Sequence, residues 1–187
     1  MEVSGLKKIK DRICSSYNTV RSLATCFKHF DYVDGNRKLS KGELFEGLKS
    51  FGVALTKEEQ DAVVKVFDKN GDGIIDFDEF LLGIRGKPNE KRQTMINLAF
   101  NKFDKDGSKH ICVKDLLGVY NCKFHPDFIA KKKTEDQILK EFLGGLGDKN
   151  NDGTITLEEW NDYYASVSAN IDNDDFFVDL MKNAWKL

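Results

Sequence analysis

The 187-residue sequence predicts an all-α protein of two lobes, each a pair of helix–loop–helix units whose loops are joined by a short β bridge. Three observations predict it. An acidic motif recurs along the chain, apolar residues flank the copies at three- and four-residue spacing, and a Gly and a Pro interrupt the helical pattern midway. "FDKNGDGIIDFDEF" from Phe67 returns as "FDKDGSKHICVKDL" from Phe103 and as "LGDKNNDGTITLEEW" from Leu146, while a damaged copy, "FDYVDGNRKLSKGELF", starts at Phe30. The residues that close the four loops are Glu43, Glu79, Asp115 and Glu159, at intervals of 36, 36 and 44. The longer last interval falls in "CKFHPDFIAKKKTEDQ", an insertion between the third and fourth units.

Taken in chain order, the first lobe spans 1–88 with loops at 31–43 and 68–79. Thr56 with Glu59 reads as a capping box, and Val63, Val64, Val66 and Phe67 give the helix entering the second loop its apolar positions. Phe27, Phe30, Phe45, Phe51, Phe67 and Phe80 fall around the first two loops at helical spacing and are assigned to the core. In "RGKPNEKR", Gly86 and Pro88 break what would otherwise be a continuous helix, and the lobe boundary is placed there. The second lobe, 89–187, carries loops 104–115 and 148–159. Thr134 with Gln137 caps the helix entering its last loop, and "NIDNDDFFVDLMKNAWKL" adds an amphipathic C-terminal helix with Asn173 as N-cap.

The stretch "DKNGDGIIDFDE" packs five carboxylates into twelve residues, and such like charges repel unless a cation sits among them. It matches D-x-[DN]-x-[DN]-G-x5-E, the EF-hand signature for Ca²⁺. Asp68, Asn70 and Asp72 present oxygens at alternate positions, Ile74 offers its carbonyl, Asp76 acts directly or through water, and Glu79 reaches back from the exiting helix. Gly73 supplies the turn at positive φ, and Ile75 points inward to pair with its counterpart in the neighbouring loop. The fourth loop is equally complete, with Asp148, Asn150, Asp152, Gly153, the carbonyl of Thr154, Ile155, Thr156 and Glu159.

The other two loops depart from the pattern. The third keeps Asp104, Asp106, Ser108, the carbonyl of His110 and inward Ile111, but has Lys109 in the glycine slot and the shorter Asp115 at its close. Both changes weaken Ca²⁺ ligation, and the site could tolerate Mg²⁺ or stay empty at resting calcium. The first loop is one residue too long. Counting back from Glu43 puts Tyr32 first and Arg37 in the glycine slot, whereas a register through Asp31, Asp34 and Asn36 rescues some oxygens. The expectation is a structural partner that completes the pair through Leu39, with weak or no metal affinity.

Composition narrows the function classes. With 29 basic and 31 acidic side chains the formal charge is −2, which gives no electrostatic case for nucleic acid. Cys14, Cys26, Cys112 and Cys122 form no CxxC pair, no apolar leader precedes them, and there is no run long enough for a transmembrane segment, so reduced thiols in an intracellular protein are expected. His29, His110 and His125 lack zinc spacing, and no nucleophile pair is evident, so no enzyme is expected. The run Lys131–Lys133 reads as a solvated loop. "RKLS" makes Ser40 a weak match to a basic-directed kinase site, where a phosphate would add about −1.5 to −2 charge.

Four such loops, a long third-to-fourth connection containing "HPDF" and "TEDQILKEFL", and the ending "DYYASVSANIDNDDFFVDLMKNAWKL" resemble the calcyphosine family over nearly the whole chain. The thirteen-residue first loop departs from that family's more regular one. The resemblance implies a cytosolic calcium-binding protein with two EF-hand pairs, linked to signalling between calcium and cyclic AMP and, in close relatives, to ciliated cells. A calcium sensor or adaptor acting on an unidentified, calcium-dependent protein target is the leading expectation. A passive buffer of sarcoplasmic calcium-binding type and a constitutive component of cilia are the alternatives.

Overall fold

The computed structural model describes residues 4–117, 122–148, 150 and 152–187, which are mostly helical. They form two compact units: Met1–Lys87 with Ser166–Asp172, and Pro88–Ala165 with Asn173–Leu187.

In the first unit α1 (Ser4–Cys14) precedes α2 (Val20–Phe30), β1 (Leu39–Ser40), α3 (Lys41–Ser50), α4 (Lys57–Phe67), β2 (Ile74–Ile75) and α5 (Phe77–Arg85). Sequence analysis did not anticipate α1. It buries Leu6, Ile9 and Ile13 and packs on α4 and α5. Ser4 Oγ and Lys8 Nζ each donate to Glu59 at 2.9 Å, while Arg12 Nε donates to the Phe51 carbonyl at 2.7 Å. Glu59 also completes the expected capping box with Thr56, so one carboxylate both starts α4 and holds α1. Phe27, Phe30, Phe67 and Phe80 are buried, with Phe45 and Phe51 partly buried against them. Their rings meet edge-on or tilted, the arrangement favoured by the aromatic quadrupole. The returning segment 166–172 adds Ala169 to this core, accepts the Val20 N–H on Asp172 at 2.9 Å, and holds Arg85 through Asp172 and the Ile171 carbonyl.

The helical run ends at Arg85. Gly86 takes φ 75°, and Asn89 caps the next helix, so residues 86–89 form the break that Gly86 and Pro88 predict. The second unit comprises α6 (Glu90–Phe103), β3 (His110–Cys112), α7 (Val113–Leu116), a 3₁₀ turn (Cys122–Phe124), α8 (Pro126–Ile129), α9 (Glu135–Gly145), β4 (Thr154–Thr156), α10 (Leu157–Ala169) up to Ala165, and α11 (Asp174–Trp185). Its core centres on fully buried Trp160, whose indole N–H donates to the Ile96 carbonyl at 3.1 Å and whose ring meets Phe100, Phe103, Tyr164 and Trp185. The C-terminal helix docks on α6 through Arg92, which pairs with Asp174 at 2.6 Å and lies 5.2 Å above the Phe177 ring. At the other end of α11, Lys102 Nζ donates to the carbonyls of Trp185 and Lys186 at 2.8 Å, satisfying orphan groups of the helix end. Thr134 and Asn173 cap α9 and α11 as expected.

The loops pair as two antiparallel bridges, Leu39 opposite Ile75 and Ile111 opposite Ile155. All four side chains are buried. A second regularity, seen in the first, second and fourth units, sets how closely the exiting helix approaches the entering one. In these three the residue before the loop meets the residue four beyond the closing acid, and one of the two is glycine. A Cβ on Gly47 would lie 2.4 Å from the Phe30 ring, one on Gly83 would lie 2.6 Å from Phe67, and in the fourth unit the sizes swap, with Gly147 facing Tyr163 at 3.1 Å.

Candidate functional site

The second loop starts at Asp68, the C-cap of α4, and ends at Glu79 in the first turn of α5. Its side chains fold inward on its own backbone. Asp68 Oδ2 accepts from Gly73 N at 3.1 Å, Asn70 Oδ1 from Asp72 N at 2.9 Å, and Asp72 Oδ1 from Ile74 N at 2.8 Å. Asp76 caps α5 by accepting from Glu79 N at 2.9 Å, and Glu79 returns across the loop to accept from Lys69, Asn70 and Asp76 N–H groups. Gly73 sits at φ 84°, where a residue with a Cβ is strained. One oxygen is left over: Asp68 Oδ1 is buried and has no hydrogen-bond donor. A buried, unpaired carboxylate oxygen in an all-oxygen donor set fits a hard cation such as Ca²⁺.

The fourth loop repeats these side-chain-to-backbone bonds, except that both oxygens of its first carboxylate are engaged, Asp148 Oδ1 accepting from Asp152 N at 3.2 Å. Asp148, only 6% exposed, accepts from Gly153 N at 2.9 Å, Asn150 Oδ1 from Asp152 N at 3.0 Å, and Asp152 Oδ1 from Thr154 N at 2.8 Å. The side-chain and backbone donors of Thr154 hold the Asp152 carboxyl below its usual range. Thr156 and Glu159 exchange hydrogen bonds at 2.9–3.2 Å, taking the places of Asp76 and Glu79.

In the third loop the backbone adopts the same turn at a cost. Lys109 takes φ 65° and its backbone N–H donates to Asp104 Oδ2 at 3.0 Å, and left-handed geometry costs a non-glycine residue roughly 1–2 kcal/mol. Ser108 N donates to Asp106 at 3.0 Å, and Ser108, first through its side chain, holds the Asp106 carboxyl low. The Ser108 hydroxyl lies within hydrogen-bond reach of both Asp104 Oδ1, 3.2 Å away, and the His110 carbonyl, 3.1 Å away, and its one proton serves either of them. Asp115 accepts from Cys112 N at 2.8 Å, but its helix, α7, is only 4 residues long, far shorter than the exiting helices of the other units. The full second helix implied by the repeat is therefore corrected to a single turn.

The structure decides the register of the first loop. Asp31 Oδ2 accepts from Arg37 N at 2.8 Å, Asp34 Oδ1 from Asn36 N at 3.2 Å, and Asn36 Oδ1 from Lys38 N at 2.7 Å. These bonds match those of Asp68, Asn70 and Asp72 one for one, so Asp31 and not Tyr32 is the first position. Arg37 takes the glycine slot at φ 64°. The extra residue therefore lies between Asp31 and Asp34, where Tyr32 and Val33 are exposed. Asp31, Asp34 and Glu43 each bring a carboxylate oxygen within 4.8 Å of the other two, the one such acidic cluster among the described residues. Ser40 stands at the position of Asp76 and caps α3, with its hydroxyl 2.8 Å from Glu43 Oε2. Sequence analysis singled Ser40 out for its basic neighbours and missed this place, which counting back three residues from Glu43 would have found.

Burial pushes the Cys26 thiol up to about 12 and raises that of Cys122, and Lys133 pairs with Glu141 and Asp127. No helix among the described residues is long and apolar enough to cross a membrane.

Comparison with known proteins accords with this geometry. A family model for an EF-hand domain pair matches residues 21–85, and one for an EF hand matches 146–162. Crustacean calcium-binding protein 23 of Faxonius limosus is 34% identical over 182 residues, covering 96% of this chain and 90% of that protein. The chain belongs to the EF-hand calcium-binding family. Its members bind Ca²⁺, and further relatives bear this out in their names. Probable calcium-binding protein CML25 of Arabidopsis thaliana is 32% identical over 148 residues, 78% of this EF-hand chain and 74% of that protein. Calcium-dependent protein kinase 22 of the same plant is 28% identical over 158 residues, but these make up only 30% of the kinase.

Proposed function

We propose that this EF-hand protein is a cytoplasmic calcium sensor or adaptor, similar to the calcyphosine family, that takes Ca²⁺ in its second and fourth loops. The observation that carries the reading is the matched set of side-chain-to-backbone bonds in those loops, with Asp68 Oδ1 buried and undonated at the first position of the second. Asp68, Asn70, Asp72, the Ile74 carbonyl, Asp76 and Glu79 would hold one ion, and Asp148, Asn150, Asp152, the Thr154 carbonyl, Thr156 and Glu159 the other. Bound Ca²⁺ supplies the positive charge that offsets the mutual repulsion of these carboxylates. Glu79 and Glu159 sit in the first turns of α5 and α10, so whichever oxygens they engage fix the entry of those helices. Glu79 now holds the backbone N–H groups of Lys69 and Asn70; releasing them frees the first turn of α5 to move relative to α4. The third loop, with Lys109 strained and the shorter Asp115 at its close, takes Mg²⁺ or stays empty at resting calcium.

An adaptor needs apolar surface for its target. The first unit has an open groove of about 310 Å³ lined by Phe45, Leu48, Val53, Ala54 and Leu55, with Glu46, Lys49 and Gln60 also on its wall. Fluorescence of an apolar dye, titrated with Ca²⁺ on the full chain, tests the reading. A calcium-dependent rise is expected. Full ion occupancy with unchanged dye signal would replace the sensor by a passive buffer, and target capture equal with and without chelator would replace it by a constitutive component, such as one of cilia.

A further inference from the structure

We infer that the insertion between the third and fourth units is a docking surface for an anionic membrane leaflet, met peripherally through lysines and an exposed isoleucine. The surface lies within the second unit and depends neither on calcium nor on the functional reading above. The extra length of the last interval, 44 against 36, falls here, so the helix–loop–helix spacing does not require it. Its residues border an open groove of about 540 Å³. Lys123, Lys131, Lys132 and Lys133 line the groove together with Phe128 and Ile129; Thr134 and Gln137 complete the lining, which contains no acidic side chain. That segregation is local, since acidic side chains outnumber basic ones 31 to 29 over the whole chain. A solvated loop accounts for the lysines. It does not account for Ile129, nor for Phe124 beside Lys123 in the 3₁₀ turn, which are 65% and 80% exposed. Large apolar side chains standing among lysines hold surface in water that a suitable contact would cover.

The surface is held in shape before any partner arrives. Lys131 takes φ 55° and its N–H donates to the Phe128 carbonyl at 3.0 Å, while the N–H groups of Lys132 and Lys133 donate to the Asp127 carbonyl at 2.8 and 3.2 Å. Lys133 Nζ pairs with Asp127 at 3.3 Å and with Glu141 at 2.7 Å, which ties the turn to α9. Those pairs, with Lys140 on Asp136, answer every acidic side chain of 122–141 except exposed Glu135 in the first turn of α9. Lys131 and Lys132 are exposed, and among the described residues neither has an acidic partner. Each lysine beside an anionic leaflet strengthens binding about fivefold. An apolar side chain entering the headgroup boundary adds a second signal, and the combination holds where one alone is marginal. An acidic peptide would answer the lysines and leave Ile129 and Phe124 in water; a leaflet presents negative headgroups with hydrocarbon just beneath, and meets both.

The test is sedimentation of the full chain with lipid vesicles, in chelator so that bound calcium plays no part. Vesicles of equimolar phosphatidylcholine and phosphatidylserine should retain the protein, and phosphatidylcholine alone should not. Lys131→Gln with Lys132→Gln should weaken retention about 25-fold, two fivefold steps. Ile129→Ser should weaken it about fivefold, for a side chain that enters only the headgroup boundary. All three positions are exposed, so these variants should keep the parent circular dichroism. Lys7→Gln with Lys28→Gln makes the same charge change at exposed positions of the first unit and should stay near the parent. No retention of the parent on the anionic vesicles would overturn the inference, and so would equal losses for the two lysine pairs, which report net charge alone. Ile129→Ser retained as well as the parent would remove the leaflet in favour of a purely ionic contact. Capture by immobilised polyglutamate without capture by vesicles would give the surface to an acidic peptide, and release from vesicles by an equal concentration of soluble glycerophosphoserine would give it to a free phosphate; either result overturns the proposal. Because chelator is present throughout, each of these failures is separate from a failure of the calcium reading.

Discussion

Substituting Gly47 by Ala tests how the entering and exiting helices are held together. An added Cβ would fall 2.4 Å from both Cγ and Cδ1 of Phe30 and 2.9 Å from Cδ2, closer than carbon atoms approach. Phe30 has no room to retreat, being fully buried with its ring edge-on to Phe51 at 5.2 Å and to Phe80 at 6.0 Å. Overpacking of this kind costs roughly 1–3 kcal/mol, against a gain of up to about 1 kcal/mol from the better helix propensity of Ala. The same helix contains its own control. A Cβ on Gly42 would meet only Ser40 Oγ, at 3.8 Å, so Gly42→Ala should be neutral or stabilising. Both tryptophans lie in the second unit, so indole fluorescence in a urea titration follows that unit while far-ultraviolet circular dichroism follows both. With chelator present, Gly47→Ala should lower the midpoint of the dichroism transition and leave Gly42→Ala at or above the parent. Phe30→Leu in the Gly47→Ala background should recover part of the loss. Equal midpoints for the two alanine variants would refute the claim that a ring fixes this helix approach.

Further predictions follow from single contacts. Glu59 is held down at about 2, first by Lys8 and then by the Thr56 backbone and Ser4. Its folded-state pKa lies below the unfolded value, so its contribution is complete above about pH 4.5 and fades as pH falls through about 2. Lys8→Ala should therefore flatten the acid limb of the stability curve measured by circular dichroism. Arg92→Ala removes the partner of Asp174 and the cover of Phe177; a loss of roughly 1–3 kcal/mol, read by Trp fluorescence in urea, is expected for a hydrogen-bonded charge of this burial. A thiol reagent at neutral pH should modify exposed Cys14 before buried Cys26, whose thiol is pushed up to about 12, with mass mapping as the readout.

Legibility in the sequence followed locality. Capping boxes at Thr56 and Thr134, the cap at Asn173, the break at Gly86 and the pairing of Ile75 depend on residues a few positions apart or on the loop pattern itself, and each could be read directly. The helix α1 could not, because its role rests on Glu59, some fifty residues away, serving two partners at once. The return of 166–172 to the first unit was equally hidden, since Asp172 meets Val20 and Arg85 only in three dimensions. In the first loop, counting from either end gave two registers. Only the hydrogen bonds to Arg37, Asn36 and Lys38 decide between them, because an insertion shifts numbering without shifting the backbone groups that Asp31, Asp34 and Asn36 serve.

The central claim is that two acidic dodecamers converge their oxygens on Ca²⁺. Calorimetric titration of the full chain with Ca²⁺, repeated in excess Mg²⁺, tests it most directly when parent and the Glu79→Gln, Glu159→Gln double variant are compared. The account predicts that the double variant takes up two fewer equivalents. Uptake undiminished in that variant, or no uptake by the parent at millimolar Ca²⁺, would contradict it.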